Sequence, residues 1–212
     1  MKVLFFTDVH NSEQALGWVT KRGKDYDAIV VGGDLARGGS QEFVGRFLHS
    51  ALATMRPVYY VQGNADALET PLPEEVIALH GRKARLGRFS VGGLGGSSPT
   101  PFRTPFELSD EEARSVLDKL GRVEILVSHC PPKGTKCDKT ASGHVGSAPV
   151  RDYVQRQKPV LVLSGHAHES RAVDNLSGTT VVNAGPLMEG KFAEVNLDGV
   201  ISVELKAESL GR

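Results

Sequence analysis

The chain has 212 residues, of which 40% are hydrophobic and 24% are charged, a composition typical of a folded protein with a substantial buried core. Its 25 basic and 25 acidic residues balance, so the overall charge gives no strong signal for binding to nucleic acid or to an anionic membrane. No apolar run approaches the roughly 18 residues of a membrane span, and the run at residues 3–6 is too short for a signal peptide, so we expect one cytoplasmic domain covering residues 1–212.

The first third of the chain alternates short apolar runs with helical patterns. The predicted elements are strands at 2–7, 27–31 and 57–62, and helices at 11–21 and 41–54. Asn11 is the expected N-cap of the first helix. Strand–helix–strand alternation of this kind predicts right-handed parallel crossovers and an α/β core.

The remainder of the chain supplies a second set of elements, with more strands than helices. The predicted elements are a hairpin at 83–86 and 89–94, a helix opened by Ser109, strands at 123–128 and 159–163, a helix from Ser147 to 157, and final strands at 169–175, 179–183, 191–196 and 200–206. Glu112 completes a capping box with Ser109. An α/β part followed by a β-rich part predicts two sheets packed face to face, with helices on the outside.

Polar side chains follow five of the predicted strands at the point where each strand ends. They are Asp8 and His10, Asp34, Asn64, His129, and His166 with His168. In open α/β sheets, ligands bind beyond the carboxyl ends of the strands, so we expect these seven side chains to meet at one edge. Glycines before Asp34, Asn64 and His166 allow the tight turns that aim the next side chain across the strand end.

Each of these motifs has an ordinary structural explanation when it is taken alone. Gly33-Asp34 and Gly63-Asn64 are common turn sequences. His166-Ala167-His168 is more specific, because alternate residues of an extended segment point to the same side. Independent turns would not place the same oxygen and imidazole ligands after five core strands, so the combination favours a metal site.

The order Asp-x-His, Gly-Asp, Gly-Asn, a single His and Gly-His-x-His resembles that of the calcineurin-like metallophosphoesterases. The resemblance covers nearly the whole chain, from Asp8 to His168, and continues into the segment 181–186. Residues 128–132 and 144–147 resemble, in addition, a compact subgroup of small, single-domain predicted phosphoesterases.

This resemblance implies a four-layer α-β-β-α sandwich with a dinuclear metal site at the sheet edges. By matching position, Asp8, His10 and His168 would hold one metal ion. Asn64, His129 and His166 would hold the other, and Asp34 would bridge both. Imidazole, carboxylate and amide ligands suit Mn, Fe, Zn, Ni or Co better than Mg or Ca. The implied reaction is hydrolysis of a small-molecule phosphoester, such as a nucleotide, by a hydroxide that the two metal ions activate.

One position departs from the family pattern. The family usually has a His after the Asn of the third motif, where it is thought to protonate the leaving oxygen, but this chain has Ala65. We therefore expect a preference for activated esters and weak turnover of simple alkyl phosphates. His144 is a candidate substitute that would act on the substrate, or else a residue of loop packing. Arg37 is a candidate for phosphate binding, or else a solvated surface residue.

Two other functions compete with hydrolysis. A binding or scaffold protein on the same fold, like a retromer subunit, would have lost ligands, whereas each expected metal position here carries a competent side chain. A metallohydrolase of the β-lactamase fold would need an early His-x-His-x-Asp-His cluster, which the sequence lacks.

Several further features receive structural interpretations. We expect loop 95–100 to shape the pocket, His49 and His80 to have structural roles in helix-like contexts, and Cys130 and Cys137 to take no part in the site. The sequence gives no indication of an oligomer, although one is possible.

Overall fold

The computed structural model describes residues 1–211, which form two six-stranded mixed sheets with helices on their outer faces. In chain order the strands are β1 (Lys2–Phe6), β2 (Ala28–Val31), β3 (Val58–Tyr60), β4 (Val76–Ala78), β5 (Lys83–Leu86), β6 (Phe89–Leu94), β7 (Ile125–Ser128), β8 (Lys139–Thr140), β9 (Gly143–His144), β10 (Leu161–Ser164), β11 (Ala172–Leu176), β12 (Thr179–Asn183), β13 (Lys191–Asn196) and β14 (Ser202–Ala207). The α-helices are α1 (Glu13–Arg22), α2 (Gln41–Leu52), α3 (Asp110–Leu120) and α4 (Ala148–Gln157).

The first sheet has the strand order β14-β13-β1-β2-β3-β4, and β1 to β4 run parallel to one another. The second sheet has the order β11-β12-β10-β7-β6-β5, with β6, β7, β10 and β12 parallel. In the first sheet β13 pairs antiparallel with β1 and β14 antiparallel with β13, and in the second sheet β11 and β5 are antiparallel edge strands. A separate short hairpin pairs β8 with β9.

Three hydrophobic clusters separate four layers. One lies between α1, α2 and the first sheet, the second between the two sheets, and the third between the second sheet and α3, α4. Successive residues of a strand point to opposite faces, so Phe6 packs on Phe47 of α2 while Phe5 packs between the sheets. Because both faces are covered, these strands are continuously apolar. The predicted α/β sandwich with four layers, α-β-β-α, is confirmed.

Most predicted elements agree with the structure, and the exceptions are the start of α1 and three short strands. The β5–β6 hairpin has the predicted bounds. Helix α1 begins at Glu13 after Ser12, so the prediction that Asn11 is its N-cap is wrong. Asn11 has a φ of 62°, and its side-chain oxygen accepts a hydrogen bond from the Arg37 amide at 3.0 Å.

Short strands were missed, because three or fewer residues show no clear periodicity. They are β4, β8 and β9. His80 therefore follows a strand rather than lying in a helix, and its Nδ1 accepts a hydrogen bond from the Gly95 amide at 3.0 Å. His49 does lie in α2. No helix among residues 1–211 is both long enough and apolar enough to span a membrane.

The predicted capping box begins α3. The Glu112 amide donates to the Ser109 hydroxyl at 3.2 Å, and the Ser109 amide donates to the Glu112 carboxylate at 2.8 Å. Two amides at the exposed start of the helix are therefore satisfied by side chains.

We expect Ser109→Ala to lower the free energy of unfolding by about 1 kcal/mol, because it removes the acceptor for the Glu112 amide. Urea denaturation monitored by circular dichroism measures this change. Ser115→Ala is the matched control, since Ser115 is exposed in the middle of the same helix. An equal effect of the two substitutions would contradict the role of the cap.

Candidate metal centre

The seven predicted side chains lie just beyond the carboxyl ends of β1, β2, β3, β7 and β10. Four of these residues have a positive φ, a backbone conformation that residues other than glycine rarely adopt. The φ angle is 56° at Asp8, 47° at His10, 52° at Asp34 and 65° at His166. Strained backbone of this kind persists where the surrounding structure enforces it, and it concentrates at functional sites. The structure thus brings together the residues that the sequence predicted.

Asp8, His10 and His168 form the first group. The Nε2 atoms of His10 and His168 lie 3.0 Å apart. Asp8 Oδ1 lies 3.8 Å from His10 Nε2 and 3.3 Å from His168 Nε2. One carboxylate oxygen and two imidazole nitrogens therefore face a common point.

Asn64, His129 and His166 form the second group. Asn64 Oδ1 lies 3.0 Å from His129 Nε2 and 2.8 Å from His166 Nδ1. The other ring nitrogen of His129, Nδ1, lies 2.8 Å from the carbonyl oxygen of Gly32. A proton on Nδ1 that donates to this carbonyl leaves Nε2 as the atom with a free lone pair.

Asp34 lies between the two groups. Its Oδ2 is 3.7 Å from His10 Nε2, and its Oδ1 is 3.4 Å from His129 Nε2. The Ala65 amide donates to Oδ1 at 2.7 Å and holds the carboxylate in place. Each oxygen of one carboxylate thus faces a different group of potential ligands.

Burial shifts the protonation of these side chains. It lowers the pKa of His10 to about 4 and that of His166 to about 3, so both imidazoles are neutral at pH 7. Burial, with nearby Asp8 and Asp66, raises the pKa of Asp34 to about 7 against the influence of His129. For Asp8, hydrogen bonding and charge from the histidines outweigh burial and hold the pKa well below its usual value. Burial lowers the pKa of His168 too, but the hydrogen bond and charge of Asp8 outweigh it and raise that pKa. The site therefore offers the neutral nitrogens of His10 and His166 beside carboxylates that lack a Lys or Arg partner.

The donor set fits divalent transition-metal ions. Ligands about 2.1 Å from one ion lie roughly 3–3.5 Å from each other, and the spacings within both groups are close to that range. Two overlapping sets, Asp8 with His10 and His168, and Asp8 with Asp34 and His129, each have ligand atoms within 4.8 Å of one another. His10 Nδ1 is buried without a hydrogen-bond partner. Nε2 is the nitrogen of this ring that faces Asp8, Asp34 and His168.

Asp66 is a supporting residue that the sequence reasoning missed. Its buried carboxylate accepts hydrogen bonds from the Ala36 and Gly63 amides, both at 2.9 Å, and from the Tyr60 hydroxyl at 2.9 Å. It thereby ties the loop that carries Asp34 to the loop after β3. Its place two residues after Asn64 was the available signal.

Thr104 and Glu107 orient the Asn64 amide and were also missed. Asn64 Nδ2 donates to the Thr104 hydroxyl at 3.1 Å, and that hydroxyl donates to Glu107 at 2.6 Å. The Asn64 oxygen is consequently turned toward His129 and His166. These partners lie some forty residues away in the chain, so no local pattern indicates them.

A cavity of about 1150 Å³ opens over the site. Its walls include the cluster residues His10, Asp34, Asn64, His166 and His168. Arg37, His144 and Ala65 also line the cavity, as does the 98–100 part of loop 95–100. Arg37 is exposed, and its guanidinium lies 3.6 Å from Met188 Sδ. Arg37 and His144, the two candidates for contacting the substrate, thus line the same cavity as the ligand groups.

The two cysteines lie outside both ligand groups. Cys130 and Cys137 are free and buried, and burial raises the pKa of each thiol to about 12. Their sulfur atoms point to different carbonyl groups, those of Val145 and Ala172. Both are therefore protonated, unreactive thiols at neutral pH.

A model of the calcineurin-like phosphoesterase family matches residues 1–170 of this sequence. The chain belongs to the calcineurin-like phosphoesterase family. It is also 32% identical over 198 residues to the uncharacterised protein MJ1162 of Methanocaldococcus jannaschii, and the match covers 88% of each chain.

Solved structures of other proteins have a fold similar to that of this chain. TT1561 of Thermus thermophilus is similar with a TM-score of 0.75 and 20% identity, over 97% of this chain and 98% of the other. An archaeal phosphodiesterase is similar with a TM-score of 0.55 and 12% identity, over 97% and 100% of the two chains. At these identities the likeness concerns the fold alone.

Gly33 and Gly63 allow the loop that carries Asp34 and the loop that carries Asn64 to lie close together. Gly33, at a φ of +97°, packs so closely on the next loop that a Cβ would lie 2.7 Å from the Cα of Gly63. A Cβ on Gly63 would overlap the Asp34 carboxylate and amide. The position of Asp34 therefore depends on residue 63 having no side chain.

We expect Gly63→Ala to lower the affinity for Mn²⁺ by about ten-fold or more, because it displaces the carboxylate between the two groups. Isothermal titration calorimetry of the metal-stripped protein measures the affinity. Gly17→Ala is the matched control, since a Cβ there meets nothing within 4 Å. Unchanged Mn²⁺ binding by a folded Gly63→Ala variant would refute this dependence.

Proposed function

We propose that the protein hydrolyses phosphoester bonds in small molecules, either phosphodiesters or phosphomonoesters, with two divalent transition-metal ions. The observation that carries this proposal is the meeting of seven oxygen and imidazole ligands in two groups that share the Asp34 carboxylate. Membership of the calcineurin-like phosphoesterase family supports the same reaction class.

The contacts support a particular division of the ligands. Asp8, His10 and His168 would hold one ion, and Asn64, His129 and His166 the other. Asp34 would serve both, since its two oxygens face different groups. When bound, such a pair of ions neutralises phosphate charge and lowers the pKa of a water molecule near neutrality. Mn, Fe, Zn, Ni and Co all suit these donors.

The residues of the cavity wall would position the substrate. Arg37 is exposed in the wall and carries a permanent positive charge that can pair with phosphate oxygens. Asn64 lines the same cavity, and its amide donates a hydrogen bond to the Thr104 hydroxyl. We therefore assign phosphate binding to Arg37 and a combined ligand and substrate-orienting role to Asn64.

A small substrate agrees with the charge and shape of the site. The balanced composition provides no excess of basic residues for a long polyanion. The cavity volume of about 1150 Å³ is slightly above the range of roughly 300–1000 Å³ that is typical of small-molecule sites. A nucleotide or another small organic phosphate is therefore the proposed substrate class.

The scaffold alternative is less well supported. A retromer-like subunit that acts through its surface has no need for a complete ligand set or for a carboxylate that faces two imidazole groups. In this chain all seven positions carry side chains able to bind metal, and several are held in strained backbone. Their arrangement favours catalysis over a purely structural role.

We expect hydrolysis of bis-para-nitrophenyl phosphate that depends on added Mn²⁺, Ni²⁺, Zn²⁺ or Co²⁺. Asp34→Asn should lower kcat/KM by about 100-fold or more, because metal ions contribute several kcal/mol to such transition states. Colorimetric assays after metal removal and reconstitution measure this.

Asp118→Asn is the control, since Asp118 is exposed on α3 in a surface pair with Arg156. Full activity of Asp34→Asn, or no metal-dependent activity of the wild type toward any phosphoester, would rule out the proposed function.

A further inference from the structure

Hydrolysis of an unactivated phosphoester leaves an alkoxide that needs a proton as the bond to phosphorus breaks. Ala65, in the cavity wall beside the ligand groups, has no group that can supply it. Among the cavity-lining imidazoles of the described chain, His10, His166 and His168 belong to the ligand groups, which leaves His144. We propose that His144, oriented by Asp138, donates the proton to the leaving oxygen, an inference that rests on the proposed phosphoesterase function.

His144 and Asp138 form a hydrogen-bonded pair. His144 Nδ1 lies 2.8 Å from Asp138 Oδ1, and the Asp138 side chain is completely buried. The amides of Gly134, Thr135 and Gly146 donate to the same carboxylate at 3.1, 2.8 and 3.0 Å. Burial alone would raise the pKa of Asp138, but these hydrogen bonds hold it below its usual value. Asp138 is therefore a fixed, ionised acceptor.

This pairing determines which nitrogen of His144 can act. Because Nδ1–H donates to Asp138, Nε2 is left as the ring atom available for proton transfer. The His144 side chain is 39% exposed and lines the cavity. A carboxylate that orients an imidazole through Nδ1 is an arrangement found in other hydrolytic sites.

The hairpin that carries His144 is anchored next to the ligand loop. His144 pairs with Lys139 across β8 and β9. The Ser170 hydroxyl donates to the Lys139 carbonyl at 2.9 Å, and the Ala141 amide donates to the Glu169 carboxylate at 2.9 Å. Glu169 and Ser170 follow His168 directly in the chain. Hydrogen bonds therefore join the hairpin that carries His144 to the segment that carries His168.

In the proposed step, one proton moves from His144 to the leaving oxygen. The bond between phosphorus and the leaving oxygen breaks, and a bond from phosphorus to the oxygen of a water molecule forms. The leaving oxygen takes the proton from His144 Nε2 and departs as a neutral alcohol. The proton that the attacking water loses passes to solvent, from which His144 is protonated again. No oxidant and no substrate other than water is required.

The test compares phosphodiesters that differ only in their leaving group, from para-nitrophenol through phenol to an alkyl alcohol. His144→Ala should lower kcat/KM by about 100-fold for the alkyl ester and by less than about ten-fold for the para-nitrophenyl ester. Added imidazole should restore part of the lost activity toward the alkyl ester. Asp138→Asn should show the same leaving-group selectivity, because Asp138 positions the donor.

His49→Ala is the matched control, because His49 is exposed on α2 and lies outside the cavity. Its leaving-group dependence should equal that of the wild type. A His144→Ala variant that loses the same factor for every leaving group would overturn the assignment and indicate phosphate binding instead. The proposed function fails separately, if the wild type hydrolyses none of the esters with any metal.

Discussion

Two buried carboxylates, Asp8 and Asp34, lie among imidazoles without a Lys or Arg partner, and the arrangement of the surrounding loops follows from this constraint. Within residues 1–211 their ion-pair partners are histidines only. Burying charge without compensation costs several kcal/mol. Burial lowers the pKa of His10 to about 4, so this imidazole supplies no positive charge at pH 7, whereas the hydrogen bond and charge of Asp8 outweigh burial and raise the pKa of His168. The proposed pair of divalent cations would supply the counter-charge, because the donors already converge at ligand spacing.

The fold places this charge where two sheets meet. Strands β1, β2 and β3 of the first sheet and β7 and β10 of the second all carry proposed ligands just beyond their carboxyl ends. The apolar cluster between the sheets, which includes Phe5 and Leu163, sets the distance between the two edges. At Gly165 a Cβ would overlap Thr7 and Asp8, so the loops of the two sheets are in direct contact. Core packing and site geometry therefore depend on each other.

The sequence predicted the fold class and the convergence of seven polar side chains at one edge, because both follow from short-range patterns. Apolar runs alternating with helical periodicity indicate the layers, and polar residues directly after a strand indicate the edge. Thr104 and Glu107 could not be found in this way, since their loop meets Asn64 only in the folded chain. Asp66 lies two residues after Asn64, which was a local signal, but its hydrogen bond with the Ala36 amide is set by the fold. Asn11 was misassigned for a similar reason: its hydrogen bond to the distant Arg37 amide replaces the helix cap.

The most direct test of a shared carboxylate between two metal ions is electron paramagnetic resonance of the protein loaded with two equivalents of Mn²⁺. If the Asp34 oxygens serve both ions, as their separate contacts with His10 and His129 indicate, the spectrum will show two exchange-coupled Mn²⁺ ions. A spectrum of isolated, uncoupled Mn²⁺ at full loading, or failure to bind a second equivalent, would contradict the account.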